Sequence, residues 1–154
     1  MENRKEASSN LSTEKNKGFD RRLIEEVFSK GNVAIIDELV GDDVIDHTAP
    51  PGMPPGREGV KQFTTMFHAA FPDLRFTIKD QVAEGDKVTT RCVMTGTHKG
   101  PLMGIPPTGK AVSITTIDIT RWSNGKAVEH WGVEDMLGLM QQLGVVPMPG
   151  QAQK

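Results

Sequence analysis

The residue types that could do chemistry gather on one stretch, Lys110 to Gly144 (KAVSITTIDITRWSNGKAVEHWGVEDMLGLMQQLG). Asp118 and His130 lie on either side of Ser123-Asn124-Gly125, a turn signal. A carboxylate beside an imidazole fixes its tautomer and raises its basicity, as a general base requires. The bland alternative is that the two side chains satisfy each other on a sheet surface. Of the other histidines, His47 sits in Asp46-His47-Thr48 ahead of a proline-rich segment, His68 lies near the polar side of a helix and is expected in solvent, and His98 opens a loop. A metal site made from His47, His130 and Asp118 has no support from spacing. The chain lacks a Gly-x-Gly-x-x-Gly, a phosphate loop, a Gly-x-Ser-x-Gly elbow and a His-x-x-x-His pair. Acid/base work is the only chemistry the chain visibly supports.

Whether Asp118 reaches His130 depends on the turn between them. Val112, Ile114, Ile117 and Ile119, interleaved with threonines, form a β-branched run, and Lys126 to Val133 forms the return strand. A two-residue Asn124-Gly125 turn sets Asp118 opposite Trp131. A three-residue Ser123-Asn124-Gly125 loop sets Asp118 opposite His130 and Thr116 opposite Gly132. The second is favoured. It gathers Ile117, Ile119 and Trp131 on an apolar face, and Thr116, Asp118, Thr120, His130 and Glu134 on a polar one, where Val128 and Ile114 also fall.

The elements that must position these residues follow from periodicity. Residues 1–17 are rich in Ser, Asn, Glu and Lys and are expected to be a disordered tail; residues 18–144 form one domain and 145–154 a C-terminal tail. Helices are expected over Phe19 to Lys30, from Val33 to Val40, and over Arg57 to Phe71, with Val44 to Thr48 extended and Ala49 to Gly56 irregular. From Leu74 the pattern alternates, through Glu84-Gly85-Asp86 and into Val88 to Met94. Asp135 to Leu143 is a final helix, in which Asp135 is an N-cap or a pocket residue and Gly144 a stop. Helices first, about four long strands next and one helix last argue an α+β fold, with a curved antiparallel sheet wrapped over helices and a pocket between them.

The chain has 154 residues, a net charge of −2, 36% hydrophobic and 25% charged residues, all ordinary for a single soluble domain. Such a charge gives no reason to expect nucleic acid or an acidic membrane as partner. The single cysteine, Cys92, excludes an internal disulfide and reads as a small buried apolar residue. No apolar run is long enough to span a membrane and no signal-peptide core is visible, so a cytoplasmic location is expected by default.

Five segments in order, Gly56 to Phe63 (GREGVKQF), Phe71 to Phe76 (FPDLRF), Gly96 to Gly100 (GTHKG), Met103 to Gly109 (MGIPPTG) and Val128 to Gly132 (VEHWG), resemble the SnoaL-like polyketide cyclase family, also labelled predicted ester cyclases. The likeness runs from about Lys17 to Gly144. It implies the cone-shaped fold shared with nuclear transport factor two, scytalone dehydratase and ketosteroid isomerase, and a homodimer joined by the outer sheet face. It also implies an aldol-type ring closure of a polyketide ester, using a histidine and an aspartate and no metal or organic cofactor. Aligned through Asn124-Gly125-Lys126, the family's histidine falls on Asp118 and its aspartate on Gly132. His47 falls on a polar pocket-lining position, and the Met103 to Gly109 loop on one that borders the pocket mouth.

The leading expectation is an enzyme of cyclase or isomerase type acting on an apolar, carbonyl-bearing small molecule. Asp118 and His130 would be its catalytic pair, with His47, Thr116, Trp131, Met103 and Asp135 as substrate-binding residues and no cofactor or metal. The rivals are a non-catalytic protein binding an apolar ligand in the same pocket and, more remotely, an epoxide hydrolase. The last would want an Asp-Arg-Asp set, which Asp118 and Arg121 cannot supply from opposite faces of a strand.

Overall fold

The computed structural model describes residues 2–150. A long first helix, α1 (Glu2–Arg22), runs on as π-helical turns over Leu23–Ser29. A short 3₁₀ turn (Val33–Ile35) and α2 (Ile36–Leu39) lead directly into β1 (Val40–Asp46). Then follow α3 (Gly56–Ala70), β2 (Arg75–Glu84), β3 (Lys87–Thr97), β4 (Ala111–Ser123), β5 (Lys126–Glu134) and α4 (Met136–Leu143). The strands form one sheet in the order β1-β5-β4-β3-β2. Strands β2 to β5 pair antiparallel, and β1 pairs parallel to β5. This is the expected α+β class, a curved open sheet with its N-terminal helices on one face.

Three local expectations need correction. The residues expected as a disordered tail begin α1, which is helical from Glu2 onward. No proline interrupts the Glu- and Lys-rich run, so the packed helix that follows extends backward at little cost, helped by the Lys17–Glu14 ion pair at 3.0 Å. The brief extended piece expected at Val44 to Thr48 is a full strand that starts at Val40, where the chain leaves α2 for φ −120°, ψ 131°. His68, expected in solvent, hydrogen-bonds the Phe28 carbonyl oxygen through Nε2 at 2.9 Å.

The hairpin register is the fourth correction. Ser123 pairs with Lys126, and Asn124 and Gly125 both have positive φ (49° and 76°), so the turn has two residues rather than three. A bulge follows at once: Trp122 pairs with Ala127 but Arg121 with Glu129, leaving Val128 as the extra residue. Asp118 therefore stands opposite Gly132, and His130 opposite Thr120. Neither expected register occurs. Beyond the bulge the observed pairing differs from the favoured one by two residues, so Thr116, Asp118, Thr120, His130 and Glu134 keep their expected face.

Two apolar clusters hold the sheet to its helices. One packs Phe67, Phe71, Leu74, Met94, Leu102, Ile114, Leu139 and Leu143 between α3, α4 and the sheet. The other packs Leu23, Val27, Ile36, Leu39, Val44, Val88 and Trp122 at the opposite end. No helix among the described residues is long and apolar enough to cross a membrane.

Close approach decides two glycines. A Cβ on Gly100 would strike the Ala69 carbonyl oxygen at the end of α3, whereas one on Gly18, exposed in α1, would meet nothing within 4 Å. Gly100→Ala should therefore lower stability by about 1–3 kcal/mol, the usual scale of overpacking. Gly18→Ala should raise it by roughly 0.5–1 kcal/mol through helix propensity. Denaturant titration of both variants measures the opposite signs.

Candidate active site

The inward face of β4 reads Val112, Ile114, Thr116, Asp118, Thr120, Trp122. Its first two residues belong to one apolar cluster and its last to the other, so the three polar ones form a band between the clusters. The space over this band is a cavity in which the centre of a water molecule has about 150 Å³ to move. That is far more than one bound water needs, about 10–15 Å³. Phe28, Phe63, Phe67, Phe76, Met94 and Leu139 make its apolar wall, and Asp46, Thr48, Thr116, Asp118, Thr120, His130 and Glu134 its polar one.

His130 is held from both sides. Its Nε2 lies 2.9 Å from Asp118 Oδ1 across the hairpin, a diagonal contact between neighbouring pairs. Its Nδ1 lies 2.9 Å from Oδ1 of Asp46, its direct partner on the parallel strand β1. Carboxylates only accept, so both ring nitrogens carry hydrogen and the ring is an imidazolium. Burial pushes its pKa down, but the hydrogen bonds and charges of Asp118 and Asp46 outweigh burial and raise it to about 10. For Asp46, burial pushes upward and the bond to His130 downward, with a net value below the ordinary carboxylate range.

Backbone groups fix this clamp. Thr48 donates to Asp46 Oδ1 through its N–H (3.0 Å) and its hydroxyl (3.1 Å), an Asx-type turn that closes β1. The Gly132 N–H donates to the same Thr48 hydroxyl at 3.0 Å. A Cβ on Gly132 would come within 2.7 Å of Asp118 Oδ1 and 3.1 Å of His130 Cε1, so the bare glycine leaves room for the pair to meet.

The remaining candidates divide. Thr116 lines the cavity, and so does Met103, half-exposed on a turn closed by reciprocal Leu102 and Ile105 hydrogen bonds (3.0 and 2.8 Å). His47 and Trp131 do not. They stack on the outer sheet face with ring centroids 4.9 Å apart, and His47 Nε2 pairs with Glu129 at 2.9 Å. Strand alternation sends residue 47 outward when residue 46 points inward, and the observed register likewise sends 131 outward. Asp135 caps α4, accepting the Gly138 N–H at 2.8 Å, and does not line the cavity.

Sequence reasoning missed Asp46. Its partner lies 84 residues away on a parallel strand, a pairing with no local signature; the Asp46-x-Thr48 turn was the available hint. Of two further acids, Asp20 went unremarked and Glu134 was only sorted to the polar face. Asp20, buried, accepts from Thr90 (2.5 Å) and Trp122 (3.3 Å) at the Trp122 end of the cavity, and burial raises its pKa. Burial, then the charge of Asp118, raises that of Glu134. Cys92, on the cavity wall, is pushed up to about 12 by burial and the charges of Asp118 and Asp20, which leaves an unreactive thiol.

The model for SnoaL-like polyketide cyclases matches residues 20–143, nearly the whole domain. The chain belongs to the SnoaL-like polyketide cyclase family. It is 28% identical to nogalonic acid methyl ester cyclase of Streptomyces nogalater, over 76% of this chain and 89% of that one. Among solved family structures, IdmH of Streptomyces antibioticus, a candidate polyketide cyclase, is 38% identical with a TM-score of 0.73, covering 84% of this chain and 99% of that one. AclR of Streptomyces galilaeus, a candidate hydroxylase, is 28% identical with a TM-score of 0.77, covering 90% and 87%. The family supports a cyclase-kind enzyme; the reactions named for its members are not all alike.

The clamp has a thermodynamic signature. A His130 pKa near 10 in the folded chain, against an ordinary value of 6.5, gives stability that is complete below pH 6.5 and lost as pH rises toward 10. Between these values the folded state holds a proton that the unfolded state has released, so stability should fall by at most about 1.4 kcal/mol per pH unit. His130→Gln should flatten that slope in denaturant titrations from pH 7 to 9. Nitrogen NMR at pH 8 should find both ring nitrogens of His130 protonated.

Proposed function

We propose that the chain catalyses a cofactor-free acid/base reaction on an apolar, carbonyl-bearing small molecule, with an aldol-type ring closure of a polyketide ester as the leading case. The observation that carries it is a carboxylate, Asp118, held by an imidazolium on the wall of an apolar cavity. The role of His130 changes accordingly. An imidazolium pinned at both nitrogens has no lone pair for a proton, so the base is Asp118, and His130 with Asp46 positions it. With the ring protonated the three groups carry one net negative charge and can accept one proton.

In the proposed cycle Asp118 takes the proton from a carbon next to the carbonyl. The resulting enolate carbon attacks a second carbonyl of the same molecule, and the new alkoxide recovers the proton from Asp118. Atoms and charge balance without an oxidant or a metal. Isomerisation or dehydration would share the first step.

Nogalonic acid methyl ester, the compound in the relative's name, is the first substrate to try. If turnover is found, Asp118→Asn should lower kcat by about 10²–10⁴ with little change in binding, because a positioned base acts on the transition state. Asp46→Asn should cost less, since it touches His130 rather than substrate. An Asp118→Asn variant that turns over like wild type would remove Asp118 from the reaction. Binding without turnover by wild type would leave a binding protein.

The outer sheet face supports a homodimer. Ile45, Val82, Ile117, Ile119 and Val133 are exposed there, Val133 at 74%, beside the stacked His47 and Trp131. Exposed apolar side chains grouped on one sheet face are what self-association covers. Light scattering should give a dimer at micromolar concentration and a monomer for Ile117→Asp; a monomeric wild type would exclude the assembly.

A further inference from the structure

The cavity has a second polar point that the proposed cycle does not use. Thr116 is 1% exposed and lines the cavity, and its hydroxyl has no hydrogen-bond partner among the described residues. A buried hydroxyl is ordinarily paired, and leaving one unpaired costs on the order of 1–3 kcal/mol. Opposite Thr116 across the hairpin stands Glu134, which also lines the cavity. Directly opposite residues have Cβ atoms about 4.5–5.5 Å apart, close enough for one atom to touch both side chains. Burial raises the Glu134 pKa, with the charge of Asp118 adding and that of His130 subtracting. Asp118, two residues from Thr116 on the same face, lies beside them.

We infer that Thr116 and Glu134 form a subsite for a ligand hydroxyl of phenolic or enolic type, which accepts from the Thr116 hydroxyl and donates to the Glu134 carboxylate. The subsite rests on the reading of the cavity as a pocket for an apolar, oxygen-bearing molecule, and it names the functional group such a molecule presents. A hydroxyl both donates and accepts, so it satisfies the orphan threonine and the acid together. A bare carbonyl would satisfy only the threonine. The walls near this point, Ile114, Met136 and Leu139, suit the ring that carries the hydroxyl.

The probes are 2-naphthol and 2-methylnaphthalene, matched in shape and differing in the hydroxyl. Calorimetric or fluorescence titration of the full chain should show 2-naphthol binding roughly tenfold or more tightly, the scale of a hydrogen bond to a charged acceptor. Thr116→Val should remove most of that preference, and Glu134→Gln should weaken it, while both variants still bind 2-methylnaphthalene as wild type does. Thr116→Val should melt no lower than wild type, because the hydroxyl it deletes has no protein partner. A marked fall in its melting temperature would show a structural hydroxyl and overturn the inference. Equal binding of the two probes by wild type, or an undiminished preference in Thr116→Val, would overturn the subsite and leave the cavity reading standing. If neither probe binds wild type, the subsite and the cavity reading fall together.

Discussion

A charged imidazole between two carboxylates is the interaction on which the inner architecture turns. Placed alone in an apolar cavity, an imidazolium would lose its proton to burial. Here two negative partners reverse that outcome, and each comes from a different strand beside β5. The clamp therefore needs a sheet in which β5 lies between β1 and β4. It also ties the parallel strand β1 to the hairpin, through side chains as well as the backbone ladder. The polar band survives inside the fold because its charges are paired. The apolar clusters at either end supply most of the burial that keeps sheet and helices together.

The same arrangement separates binding from chemistry. Apolar rings and methionines shape most of the cavity wall, so in the proposed function they would supply affinity without choosing a reaction. The charged groups occupy one side, and Asp46 is preorganised by bonds from Thr48, whose hydroxyl is itself held by the Gly132 amide; a ligand need not disturb these bonds. Preorganised charge is the usual source of rate in sites that exclude water, since nothing must reorient when charge develops. The relatives' names include a cyclase and a candidate hydroxylase, in keeping with a scaffold on which few residues select the chemistry.

The sequence exposed the fold class because periodicity changes from helical to alternating at Leu74 and returns to helical only after the hairpin, at Asp135. It exposed the sorting of β4 because alternation of Thr116, Asp118 and Thr120 with Ile117 and Ile119 is a local pattern. The register was not legible. The favoured three-residue loop was replaced by a two-residue turn with a bulge at Val128, and only the even net offset kept Asp118 and His130 on one face. Trp131, on β5, sorts in the sequence with Ile117 and Ile119 and lies on their outer face, whereas His47 was misplaced since nothing local shows which way β1 faces. Asp46 stayed hidden for the same reason, and its role depends on a contact between distant segments. The extent of α1 was obscured by a composition that suits both a solvated helix and a disordered tail.

Gly132 carries a consequence for how this site could have diversified. Its missing side chain is the space in which Asp118 and His130 touch, so positions 118, 130 and 132 are not free to vary one at a time. A chain acquiring a carboxylate at 132 would have to give up the present contact, and one acquiring an imidazole at 118 would need a different partner for His130. Change at these three positions should be concerted, passing through intermediates in which one charge is stranded. Descendants of a common ancestor would then fall into discrete constellations of acid and imidazole, with few blends between them.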